Sequence, residues 1–196
     1  KEDFFRVWGM GDYDMEKNEN EVYYFKCEDE LELLSRFIDY WSEHGMPDVV
    51  TGWNSKGFDI PYLVNRTRKV IGEESVKKFS PWGIVKQRTV RANKFGMKDT
   101  NTYDIMGVAQ LDYYNLFQKF TYNTLGQQES YRLDHIANVV LGERKLSYEE
   151  HGNLYTLYKE DYQKFIDYNI KDVELVDKLD EKLGLIDLAF TLAYKG

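Results

Sequence analysis

The period of the hydrophobic pattern changes again and again along these 196 residues, and that alternation limits the fold more than any other feature. Two β-rich runs, residues 4–10 and 21–27, are separated by a polar connection rich in Gly, Asp and Asn, which predicts a hairpin. Residues 29–44 then place Leu31, Leu34, Phe37, Ile38 and Trp41 at helical spacing, with Gly45 as the stop. Residues 48–54 read as a short buried strand leading into a loop, and 62–71 as a helix ended by Gly72. Residues 84–90 and 101–106 flank Lys94-Phe95-Gly96-Met97-Lys98 and predict a second, strongly basic hairpin. A strand over 108–111 leads into a helix through Phe120. Three helices follow, over 131–141 (Leu133, Ile136, Ala137 and Val140 inward), 159–182 and 185–194. Strands interleaved with helices in this order predict an α/β domain with a mixed sheet flanked by helices.

Composition narrows the chemistry. The length suits one domain, and a 42% apolar fraction can bury a sizeable core. One cysteine, Cys27, excludes a disulfide framework and a Cys-based zinc site and fits a reducing compartment. The three histidines are scattered, so any metal would need carboxylate ligands. No apolar run is long enough for a membrane span, and residues 1–4 do not read as a signal peptide. The net charge of −8 argues against a nucleic-acid partner until its distribution is read. Residues 66–98 hold ten basic side chains and two acidic ones, Glu73 and Glu74; the remainder holds 16 basic and 32 acidic. That asymmetry fits one face for phosphate and another for cations, or equally an ordinary solvated helix and hairpin.

Two short constellations carry chemistry. Asn54-Ser55-Lys56-Gly57-Phe58-Asp59 follows the buried strand, so Asp59 lies past a strand's carboxyl end, where α/β sheets build their sites. Capping of the helix that begins near Ile60-Pro61 is the plainer alternative. Tyr168 and Asp172 stand four apart on the inward face of the long helix, together with Phe165, Leu175 and Leu179. An inward carboxylate is costly unless a cation neutralises it or a hydrogen bond satisfies it.

Together these motifs, Asn-x-x-x-Phe-Asp and then Tyr-x-x-x-Asp about a hundred residues on, resemble the second and third exonuclease motifs of family B DNA polymerases. Thr51-Gly52-Trp53-Asn54, Phe58 through Tyr62, Asn65-Arg66, Leu111-Asp112-Tyr113, Lys119-Phe120, Lys145-Leu146 and Tyr168 through Val173 are similar to the proofreading domain of the T-even-like bacteriophage type. The resemblance runs over nearly the whole chain. It implies a ribonuclease-H-like fold and 3′→5′ hydrolysis of single-stranded DNA ends by two Mg²⁺ or Mn²⁺ ions. By motif, Asp59 and Asp172 would be metal ligands and Tyr168 would orient the attacking water. Lys145 would act electrostatically, while Asn54 and Phe58 would shape the pocket for the 3′-terminal nucleotide. The basic segment from Lys86 to Lys98 matches the family's inserted β-hairpin, with Lys86, Arg88, Arg91, Lys94 and Lys98 tracking phosphates.

The resemblance also predicts what is missing. The family's first motif, Asp-x-Glu on an opening strand, has one counterpart before Asp59, Asp14-Met15-Glu16, which falls in a polar connection and reads as a decoy. Residues 1–196 therefore read as a single exonuclease domain in fragment form, without its first strand and without the polymerase domains that would be its partners. Such a fragment is expected to be weakly active or inactive, with an open strand edge that favours an edge-strand dimer. Its expected setting is the cytoplasm of a phage-infected bacterium, with no membrane partner. The competing readings are an inactive single-strand-binding module and a stand-alone RNA exonuclease of the same superfamily.

Overall fold

A computed structural model describes residues 4–90 and 100–196. The chain forms two compact units, one of Glu30–Thr124 and one of the first 29 residues with Leu125–Gly196. Among the described residues no helix is long and apolar enough to cross a membrane.

In the Glu30–Thr124 unit, helix α1 (Glu30–Asp39) buries Leu34 and Ile38 and continues into one wider turn over Tyr40–His44, closed by Gly45. Leu31 is half exposed, because the buried stripe begins one turn later than the spacing predicts. Strand β3 (Val49–Gly52) leads to helix α2 (Asp59–Val70), whose Ile60, Val64 and Thr67 recur on one face and are buried. After the short helix α3 (Glu73–Lys77) come β4 (Val85–Val90), β5 (Thr100–Ile105), β6 (Ala109–Asp112), α4 (Tyr113–Phe120) and α5 (Tyr122–Leu125). β4 and β5 pair antiparallel from Val85↔Ile105 to Val90↔Thr100. β3 and β6 pair parallel from Val49↔Ala109 to Gly52↔Asp112. The core gathers Ile38, Ile60, Val64, Val76, Phe79, Tyr103, Ile105 and Val108, with Trp41 donating its indole N–H to the Phe79 carbonyl at 3.0 Å.

In the other unit, β1 (Phe5–Gly9) and β2 (Val22–Lys26) are parallel, with Phe5 opposite Val22 and Gly9 opposite Lys26. The hairpin predicted there is not formed. The connection between the strands carries the chain back to its starting end, and helix α8 (Tyr162–Leu183) holds it there. Tyr13 and Asn18 both donate to Asp167 at 2.7 Å, and the Met10 amide donates to the Tyr162 hydroxyl at 3.0 Å. Val22, Ile166 and Ile170 form the core between strand and helix.

Helix α6 (Leu133–Leu141) buries the four residues the sequence assigns inward and stops at Gly142, φ +75°. The helix expected over 159–182 is two: α7 (Leu154–Glu160) and α8. Asp161 breaks them apart, since it leaves the helical backbone (φ −140°, ψ 78°) and caps α8 through the Lys164 amide at 3.0 Å. Helix α9 (Leu185–Lys195) follows Gly184. Among the described residues the strands thus pair as three two-stranded ladders rather than the one mixed sheet expected, within a mixed α/β architecture.

Candidate active site

The loop after β3 is shaped by its own residues. Asn54 takes a left-handed backbone, φ +65°, which asparagine tolerates better than most side chains. Its carbonyl accepts the Gly57 and Phe58 amides, both at 3.0 Å, so the chain coils tightly into α2. A Cβ on Gly57 would lie 2.5 Å from Asn54 Oδ1, so this position has room only for glycine while Asn54 keeps its place. Phe58, not Asp59, occupies the N-cap of α2, and it makes no side-chain cap bond. The capping alternative for Asp59 is therefore not what the structure shows. Asp59 is the first residue of α2 and is exposed, at the helix end that favours negative charge. Phe58 is 64% exposed and stacks on Tyr62 with ring centroids 6.2 Å apart.

Within the other unit, Lys145, Tyr168 and Asp172 come together. Lys145 Nζ donates to Asp172 Oδ2 at 2.6 Å and to the Tyr168 hydroxyl at 3.3 Å. Sequence alone shows no partner for Asp172; the structure supplies Lys145, from the segment after α6. The second oxygen, Asp172 Oδ1, is buried with no hydrogen-bond partner among the described residues. Burial raises the Asp172 pKa, with Lys145 opposing that shift and the charge of Asp134 adding to it. Burial disfavours the Lys145 ammonium, but the bond and charge of Asp172 outweigh it and lift its pKa. Burial also pushes Tyr168 up, so it remains a neutral phenol. A carboxylate oxygen left without a donor among the described residues, on a half-buried side chain, suits a hard cation.

The remaining predicted residues are more dispersed. Lys86 and Arg88 are exposed on β4, and Arg88 Nε lies 3.1 Å from Asp104 Oδ2, so its charge is already paired. Arg91, Lys94 and Lys98 lie outside the described residues. Asp14 accepts the Glu16 amide at 3.2 Å and caps a single turn over Met15–Lys17. Among the described residues no three His, Cys, Asp or Glu side chains gather as a metal site.

Residues 10–136 match the profile of the exonuclease domain of DNA polymerase family B. The chain belongs to that family. It is 38% identical over 173 residues to the DNA-directed DNA polymerase of Enterobacteria phage T4, a match covering 88% of this chain and 18% of the relative. It is 33% identical over 175 residues to that of Escherichia phage RB69, covering 89% and 18%. The DNA polymerase catalytic subunit of Psittacid herpesvirus 1 is 30% identical over 163 residues, or 81% of this chain and 14% of that protein. The chain thus spans under a fifth of the length of these relatives.

Two further residues of this exonuclease domain escape sequence reasoning as site residues. Asp134, on α6, accepts the Lys145 amide at 2.9 Å and so fixes the backbone that carries the lysine. Asp112, at the end of β6, accepts the amides of Asn54 and Lys56, each at 3.0 Å. Asp112 does carry a local signal, an Asp directly before a helix, but that spacing announces only a cap.

Proposed function

We propose that this chain is a 3′→5′ exonuclease of ribonuclease-H-like fold that removes nucleotides from single-stranded DNA 3′ ends as the proofreading domain of a larger polymerase. The observation that carries this reading is Asp172 Oδ1, buried and without a donor among the described residues, beside Lys145 and Tyr168 in a chain of this family. Asp59 and Asp172 are the residues proposed to hold divalent ions, Mg²⁺ or Mn²⁺, which prefer carboxylate oxygen. Bound there, such ions would stabilise the attacking and leaving oxygens of a phosphodiester displacement.

The chain's own residues do the rest. Lys145 opposes the rise that burial imposes on the Asp172 pKa and fixes its rotamer. Because the Tyr168 oxygen already accepts from Lys145, its proton is free to hold a lone pair of the attacking water. Phe58 offers an exposed ring for the terminal base to stack on, with Tyr62 behind it. Asn54, exposed in the loop that leads into α2, offers its side-chain amide. Lys86 and Arg88, with Arg91, Lys94 and Lys98, supply positive charge for the strand's phosphates. The polymerase domains are the proposed partners, and the cytoplasm of a phage-infected bacterium the proposed setting.

A second reading, single-strand binding without turnover, is favoured by one observation: among the described residues no group of three His, Cys, Asp or Glu side chains gathers as a metal site. The same observation predicts slow turnover under the first reading. The test is to incubate the chain with matched single-stranded DNA and RNA in Mg²⁺ and in Mn²⁺ and identify the products. Deoxynucleoside monophosphates from DNA support the exonuclease. Salt-sensitive retention of DNA with no product supports the binding module, and preferential release from RNA contradicts both.

A further inference from the structure

Asp112 is 3% exposed, and its carboxylate is surrounded by backbone N–H groups. Oδ1 accepts the Asn54 amide at 3.0 Å and the Tyr114 amide at 3.1 Å, while Oδ2 accepts the Lys56 amide at 3.0 Å. The bond to Tyr114 is an ordinary cap of α4. A cap needs neither burial nor the other two bonds, which reach back 58 and 56 residues to the loop after β3. The Lys56 peptide is held from its other side as well. Thr102, also 3% exposed, donates its hydroxyl from β5 to the Lys56 carbonyl at 2.7 Å. Both the N–H and the C=O of one loop residue are thus tied to buried side chains of two different strands, within one compact unit.

Lys56 stands midway between Asn54 and Phe58, the two residues proposed for the 3′-terminal nucleotide, and three residues before Asp59. We infer that Asp112 and Thr102 are positioning residues that clamp the Lys56 peptide and so preform the pocket for the 3′ end. This inference rests on the exonuclease reading. Asp112 touches no substrate; it acts by fixing the loop, and charge-assisted bonds to its carboxylate make that hold firm. The left-handed Asn54 backbone gives the clamp something to hold, since a strained residue persists only where its surroundings over-determine it.

Asp112→Asn separates the clamp from the cap. An Asn side chain has one acceptor oxygen, which can serve Asn54 and Tyr114, and its amino group then faces the Lys56 N–H, donor against donor. Thr102→Val removes the second tie at nearly constant volume. The experiment measures amide exchange over residues 54–58. It also measures affinity for a single strand with a free 3′ end against a closed single-stranded circle of the same sequence, both in Ca²⁺. In Asp112→Asn the loop amides should exchange roughly tenfold faster. The preference for the open strand should fall by a similar factor, with affinity for the circle unchanged. Thr102→Val should move both readouts in the same direction, and it carries the test if Asp112→Asn does not fold. A merely structural residue would weaken both substrates together, and that result overturns the inference. So does unchanged loop exchange, or a preference that survives faster exchange. A wild-type chain with no preference for the open strand overturns the exonuclease reading itself, and shows it before any substitution is made.

Discussion

Asp172 holds one oxygen on Lys145 and keeps the other buried without a donor among the described residues, so its protonation is set by burial and the charge of Asp134 against one ammonium. Burial wins, and the pKa lies above the usual aspartate value. Lys145→Met removes the opposing charge, so the Asp172 pKa should rise further, and any metal-dependent binding should lose its acid limb at a higher pH than in the wild type. A ¹³C NMR titration of the Asp172 carboxyl checks this; an unchanged or lower value contradicts it. Gly57→Ala should also be costly, because the new methyl group meets Asn54 Oδ1. Single-strand affinity is expected to fall several-fold, read by fluorescence anisotropy, and unchanged affinity would show that Asn54 can move without consequence. That Asp59 follows a strand and opens a helix, and that Tyr168 and Asp172 share one helix, was legible in the sequence, because spacing along a strand end or a helix face is local information. Asp112 and Asp134 were not legible in their site roles. Each fixes a backbone amide of a distant segment, and such a contact leaves no periodic trace in the chain.

At the scale of elements, the segment just after α6 is joined to α8 by an ionic network in which Glu143 meets Lys171 and Lys178, and Glu174 meets both lysines again. The bonds from Lys171 and Lys178 hold Glu143 below the usual glutamate range. Burial raises Glu174, yet the bonds from Lys178 and Lys171 outweigh it and lower that pKa too. Their contribution is therefore present above the ordinary glutamate pKa and lost as pH falls through the lowered values. Glu143→Gln should cost up to about 1 kcal/mol at neutral pH, less in high salt, and nothing at low pH. Thermal melts across pH and salt check it, and a cost that persists in acid contradicts it. The apolar core is far more expensive to disturb. Phe79→Ala removes a fully buried ring packed edge-on against Trp41 and should cost about 3–5 kcal/mol by chemical denaturation. The period of the sequence told strand from helix reliably here, because period is local. It could not tell that β1 and β2 run parallel, since the direction of a strand depends on where its connection docks. Nor did it show the break at Asp161, where one cap outweighs continuous helical spacing.

At the scale of the whole molecule, a net charge of −8 coexists with a basic stretch from Lys86 to Lys98 whose described basic members, Lys86 and Arg88, are exposed on β4. Single-strand binding should therefore be local and strongly salt-dependent, with log affinity falling against log salt by about 0.7 for each phosphate contacted. Lys86→Glu should lower both the affinity and that slope; a slope that does not change would place the strand elsewhere. The central claim is that Asp59 and Asp172 serve a single-strand exonuclease, and one measurement tests it most directly. A 5′-labelled single-stranded DNA is incubated in Mn²⁺ with excess protein, so that even slow turnover is seen, beside the Asp59→Ala and Asp172→Ala variants. The account predicts stepwise shortening from the 3′ end by the wild-type chain and none by either variant. Shortening that survives either substitution, or a strand that stays intact with folded wild-type protein in excess, would contradict it.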